Sequence, residues 1–140
     1  MLMAWHLRWK GGWQMGMQVV EVAAGEGVYE LRAVAVVTPR GITVTACSPA
    51  FAHLGATAQA IPRPEQGRTA TVSILAVPCH RDEIPARDIA AALATRFGVP
   101  CAASTGFHVE HASEEDLKRM LESTRMLIDE LERAIEPLFE

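Results

Sequence analysis

The sequence predicts a single α+β domain: a mixed, mostly antiparallel β-sheet ending in a C-terminal βαβα unit, with two helices on one face. Three observations carry this. In the first half, β-branched and apolar residues alternate or cluster between glycine and proline turns. In the second half, apolar residues recur twice at helical spacing, on either side of one small-residue strand. The length of 140 residues suits one core, and 49% hydrophobic with 21% charged residues is the balance of a folded chain.

The elements follow in order. Trp5, Leu7 and Trp9 alternate with His6, Arg8 and Lys10, a short strand pattern closed by Gly11-Gly12. Strands are expected over residues 17–23, 29–37 and 42–46, separated by the turns Gly25-Glu26-Gly27 and Pro39-Arg40-Gly41. Residues 55–61 and 69–77 read as two more, joined by a proline-rich loop over 62–67. Ala86, Ile89, Ala90, Leu93 and Phe97 then mark a helix. Asp82 is placed to cap it, Pro85 to sit in its first turn and Gly98 to end it. Residues 99–105 form a last strand. Ser113 with Asp116 resembles a capping box, opening a long helix with the stripe Leu117, Leu121, Thr124, Ile128, Leu131 and Ile135. On its polar side Asp129 and Arg133 are spaced for an ion pair. The chain divides into a Trp-rich N-terminal segment, 1–16, and a domain, 17–140.

The strand–helix–strand order over 69–105 predicts a right-handed βαβ unit with two parallel strands, whose carboxyl ends share one edge of the sheet. That edge receives His80-Arg81-Asp82 from one strand and Gly106-Phe107-His108 from the other. Antiparallel pairing of 55–61 with 69–77 brings His53 and Gly55 to the same place. Three distant segments are expected to converge there. Taken singly, each residue has a plainer role: a histidine at a strand end is most often a surface or hydrogen-bonding residue, and Gly106 suits either a turn or close backbone approach. Arg81 near a helix start suits an anion, although Asp82 and Glu83 compete for that position.

Other classes are disfavoured. The net charge of −4, with basic residues scattered, speaks against nucleic acid as a partner. Cys47, Cys79 and Cys101 are far apart and odd in number, which reads as three buried thiols in a reducing cytosol. The N-terminus lacks an export-signal pattern and no run reaches membrane-spanning length, so the expected location is cytoplasmic. His108-Val109-Glu110-His111 matches no standard zinc spacing; His80 with His108 is the weaker, metal-ligating alternative. Trp5, Trp9 and Trp13 are read as covering a core edge or an oligomer interface in preference to stacking on a planar ligand. Nucleophile elbow, P-loop and dinucleotide fingerprint are missing from the sequence. Residue chemistry alone leads to a small-molecule site at a strand edge.

The run Ala52-His53-Leu54-Gly55-Ala56-Thr57-Ala58, then Ile61-Pro62-Arg63-Pro64, His80-Arg81-Asp82 and Gly106-Phe107-His108, resembles the LpdD-like prenylated-flavin chaperones. These are small third subunits encoded with UbiD-type aromatic acid decarboxylases. The likeness extends over residues 17–135. Ala52, Leu54, Arg81 and Phe107 stand where the family pattern has proline, isoleucine, lysine and isoleucine. An arginine in place of lysine puts a planar fork where a point charge would meet a phosphate. The resemblance implies a non-catalytic chaperone that binds prenylated FMN, or FMN itself. It implies delivery to a UbiD-type decarboxylase of a cofactor made by a UbiX-type prenyltransferase. It also implies that His53, Gly55, His80, Arg81, Asp82, Gly106 and His108 form the cofactor site. Two other readings compete: a small metal-assisted enzyme built on His80 and His108, and a purely structural decarboxylase subunit. A homodimer is expected, because the strand over 29–37 is apolar on both faces and two helices cover only one.

Overall fold

The computed structural model describes residues 16–63, 65, 70–79 and 81–139. The Trp-rich segment before Gly16, His80 and most of the loop over 64–69 lie outside the described residues. Six strands, β1 (Gln18–Ala24), β2 (Leu31–Thr38), β3 (Gly41–Cys47), β4 (Ala56–Pro62), β5 (Ala70–Ala76) and β6 (Cys101–Gly106), form one sheet. Helix α1 (Glu83–Phe97) lies between β5 and β6 in the chain, and α2 (Glu114–Phe139) follows β6. Short 3-10 turns occupy Gly27–Tyr29 and Pro49–Phe51.

The strand order is β1-β2-β3-β6-β4-β5. Every pairing is antiparallel except β3 with β6. The fold class is therefore the expected one, with one difference inside it. The strands that α1 connects, β5 and β6, run in the same direction but are not neighbours; β4 lies between them and pairs antiparallel with both. The short connection from β4 holds β5 at its side, so β6 takes the other side of β4 and meets β3 in parallel.

Burial follows the strand period. Leu31, Ala33, Ala35 and Val37 of β2 are buried, while Arg32 and Val34 between them are exposed. Ile42, Val44 and Ala46 of β3, and Ala56, Ala58 and Ala60 of β4, continue the same buried face. Helix α1 packs over β4, β5 and β6, α2 over β1 and β2, and the helices touch each other. Ala86, Ala90 and Ala94 of α1 are buried, as are the alanines of β4 and Ala103 of β6. Small side chains on both surfaces let the helix lie close to the sheet without voids. Gly98 ends α1 in the left-handed conformation, its N–H bonding Ala94.

Helix α2 departs from expectation in two ways. Its buried stripe runs through Thr124, Leu127, Leu131, Ile135 and Phe139, whereas Leu117 at its start is 47% exposed. Arg133 bonds Glu130 at 2.5 Å, three residues back, so the ion pair read for Asp129 falls to a nearer acid.

The capping box at the start of α2 is present. Ser113 N–H and Oγ–H donate to Asp116 at 2.7 and 2.8 Å, and Asp116 N–H returns a bond to Ser113 Oγ. Tyr29 Oη–H also donates to Asp116 at 2.6 Å, fastening the helix to the entry of β2. Tyr29, and then Ser113, hold the Asp116 carboxyl below its ordinary value. A lowered folded-state pKa stabilises the protein above the ordinary carboxylate range, and that contribution is lost as pH falls through the lowered value. Replacing Tyr29→Phe removes the larger cause. The Asp116 carboxyl, followed by NMR, should then titrate at higher pH, and acid loosening of α2 should begin earlier.

Candidate functional site

The sheet register brings the motifs together. Ala56, at the start of β4, stands opposite Ala76 at the end of β5 and Thr105 near the end of β6. Gly55 N–H donates to Thr105 at 2.8 Å, and Val77 N–H donates to Gly55 at 2.7 Å. The end of β3 joins them, since Cys47 stands opposite Gly106 and Ser48 N–H donates to Gly106 at 3.0 Å. His53, Gly55, Arg81, Asp82, Gly106 and His108 are thus gathered at one edge. His80 falls outside the described residues.

Asp82 is the centre of this edge and is buried. Its Oδ1 accepts the Phe107 N–H at 2.7 Å, and its Oδ2 lies 3.3 Å from His53 Nε2. Its backbone carbonyl accepts the Thr105 hydroxyl at 2.8 Å and the Ala86 N–H at 3.1 Å. The carboxylate therefore does not cap α1 as the sequence suggested; no side-chain cap bond forms there. Asp82 has helical backbone angles (φ −77°, ψ −3°) in place of the extended ones of a side-chain cap, and Pro85 at the third helical position has no N–H to offer it. The other ring nitrogen of His53 lies 2.7 Å from the Phe51 carbonyl. A carbonyl only accepts, so His53 Nδ1 carries a proton.

Both site glycines are steric requirements of this arrangement. A Cβ on Gly55 would sit 1.8 Å from Asp82 Oδ2, and one on Gly106 would sit 1.8 Å from the His53 carbonyl oxygen. Neither position admits a side chain while Asp82 and His53 keep their places.

Arg81 and His108 face outward. Both are exposed, and both line a cavity of about 230 Å³ between the start of α1, the segment after β6 and the first turns of α2. On its other side His108 borders a second hollow, of about 370 Å³, with Ser48, Pro49 and Phe51. The His108 ring lies 4.6 Å from that of Phe51, centroid to centroid, and the His108 backbone N–H donates to the buried Ser48 Oγ at 2.9 Å. Ser48 and Phe51 were not foreseen, because only the parallel pairing of β3 with β6 brings them here.

The remaining candidates resolve simply. Glu110 and His111 approach to 4.0 Å in the open, and no group of three metal-binding side chains occurs among the described residues. The reading of three buried thiols needs correction. Only Cys101 is buried, its thiol pushed up to about 12 by desolvation, whereas Cys47 is half-buried and Cys79 exposed. Burial follows position: Cys101 opens a central strand, and Cys79 lies in the turn after β5.

The model of the prenylated flavin chaperone LpdD-like domain matches residues 25–136, a span that contains every residue of this edge. The chain belongs to this family. Membership agrees with the motif resemblance, and the LpdD-like family is one of chaperones, accessory proteins without catalysis of their own. No curated protein matches the sequence. Among solved structures, one from a chaperone complex for yeast 20S proteasome assembly superposes with a TM-score of 0.60 at 14% identity. That match covers 90% of this chain and 100% of the other. At that identity the likeness is one of fold.

The LpdD-like edge should be intolerant of small changes. Gly55→Ala and Gly106→Ala are each expected to lower unfolding free energy by about 1–3 kcal/mol. Asp82→Ala, which strands the Phe107 N–H and the His53 ring, should cost about 2–3 kcal/mol. Urea denaturation of the three variants measures this, and wild-type midpoints would refute the clamp.

Proposed function

We propose that this protein binds prenylated FMN at the edge formed by His53, Gly55, Arg81, Asp82, Gly106 and His108, and delivers it to a UbiD-type decarboxylase. A UbiX-type prenyltransferase would supply the cofactor, and both exchanges would take place in the cytoplasm. One observation carries the reading: a hydrogen-bonded clamp places one guanidinium and one imidazole, both exposed, beside an apolar cavity.

The residues suit such a ligand. Arg81 offers a planar fork of donors for a phosphate, and the His108 ring with Phe51 offers flat surfaces for an aromatic ring system. His53 and Asp82 are occupied with each other and with the backbone, so their part is to hold the edge in shape. The cavity of about 230 Å³ is below the roughly 300–1,000 Å³ usual for a whole small-molecule site, so part of the ligand would remain outside it. Partial enclosure suits a carrier, because an acceptor enzyme must reach the cofactor to take it. No helix among the described residues is long and apolar enough to cross a membrane.

We also infer a homodimer formed through the open face of the sheet. Val19, Val34 and Leu75 are exposed there, flanking a middle of Thr43, Thr45, Thr57 and Ser104. Six strands at about 4.8 Å spacing and about 3.3 Å per residue span roughly 650 Å². Two such faces reach the roughly 1,200–2,000 Å² of a stable interface. Light scattering at micromolar concentration should report a dimer, and Val34→Lys should shift it to monomer; a monomeric wild type would overturn this.

For the cofactor, titration with prenylated FMN followed by absorbance should show Arg81→Ala and His108→Ala each weakening binding about tenfold or more. Their circular dichroism should match wild type, since both side chains are exposed. Unchanged affinity in both variants would remove the site. Failure of the loaded protein to activate an apo-decarboxylase would remove the delivery role.

A further inference from the structure

Resting on the flavin reading, we propose that the cavity between α1 and α2 takes the isoprenoid-derived hydrocarbon of the cofactor. It is then this cavity, and not the basic residues beside it, that makes the protein choose prenylated over unmodified flavin. The large apolar residues Ile84, Pro85, Phe107, Leu117, Met120 and Leu121 supply half of the lining.

Three features make the cavity a hydrocarbon site. Two of its four polar neighbours are already engaged, Thr124 Oγ–H donating to the Met120 carbonyl at 2.8 Å and Asp82 holding Phe107 and His53, while the other two, Arg81 and His108, are the exposed ones. A polar ligand group entering here would lose its water and gain little. Large apolar side chains are also left partly uncovered. Leu117 is 47% and Ile84 40% exposed, although Leu117 opens the same stripe that is fully buried at Leu127, Leu131 and Ile135. An apolar stripe that reaches a cavity instead of the core is surface waiting for a hydrocarbon. Finally, the charges nearby repel an anion. Glu114, Glu115 and Asp116 occupy the first turn of α2, and Asp82 and Glu83 the start of α1. The phosphate is then met by Arg81, the basic side chain of the lining that is exposed beside His108, and the hydrocarbon turns inward past it.

Prenylation adds a five-carbon unit. Each buried methylene contributes up to about fourfold in affinity, so partial burial of five carbons gives a preference of roughly 10- to 100-fold. The phosphate and ring contacts are common to both flavins and contribute nothing to that ratio.

The experiment measures dissociation constants for prenylated FMN and FMN on the full chain, for wild type and four variants. Leu117→Gln and Met120→Gln make the lining polar, and Leu117→Trp fills the space; these side chains are exposed or half-buried, so the fold should persist. Wild type should prefer prenylated FMN at least tenfold. The three cavity variants should bring the ratio within about threefold of unity while FMN affinity moves by less than threefold. Arg81→Ala should weaken both flavins alike and leave the ratio unchanged. Equal binding of the two flavins by wild type, or a ratio preserved in all three cavity variants, would overturn the hydrocarbon site and leave the flavin reading standing. Binding of neither flavin by wild type would overturn both.

Discussion

The carboxylate of Asp82 is what this molecule's working edge depends on. It is buried at the junction of three segments that are far apart in sequence, accepting a backbone N–H from one and lying 3.3 Å from a ring nitrogen of another. A buried anion without such partners would cost several kcal/mol, so the neighbouring residues are chosen to supply them. Gly55 leaves the space its oxygen occupies. Gly106 lets the His53 carbonyl approach, and the turn that follows presents the Phe107 N–H. The three motifs are thus one structural unit.

That unit separates residues that shape the site from residues that can meet a ligand. His53, Gly55, Asp82 and Gly106 are spent on one another, whereas Arg81 and His108 project from the clamp into the open. Rigid support beneath exposed contact groups suits a carrier, since little order has to be created on binding.

The two helices treat their apolar surfaces differently. Along α1, Ala86, Ala90 and Ala94 are buried over the sheet, and the large apolar side chain left exposed is Ile84 in its first turn. Along α2, packing is complete only from Thr124 onward, and the first turns lean over a cavity. The start of α2 is nonetheless fixed, through Ser113, Asp116 and Tyr29, so the cavity has one anchored wall. The opposite face of the sheet has no cover among the described residues, and its exposed valines and leucine are the other unspent apolar surface.

Local physics is legible in the chain. The alternation of Leu31, Ala33, Ala35 and Val37, the helical spacing of Ile89, Leu93 and Phe97, and the Ser113–Asp116 box each need only a few neighbouring residues to act. The mixed, mostly antiparallel sheet and the convergence of the His53, Asp82 and His108 segments were readable too, because a hairpin and a crossover leave few places for strand ends. What the sequence did not disclose depends on partners far along the chain. Whether Asp82 caps α1 or reaches Phe107 is decided by an N–H that arrives with β6, twenty-five residues later. Ser48 and Phe51 enter the site only because β3 and β6 pair in parallel, a choice no local pattern records. Leu117 and Leu131 share one stripe, and only the reach of the sheet beneath α2 decides which is buried and which lines the cavity.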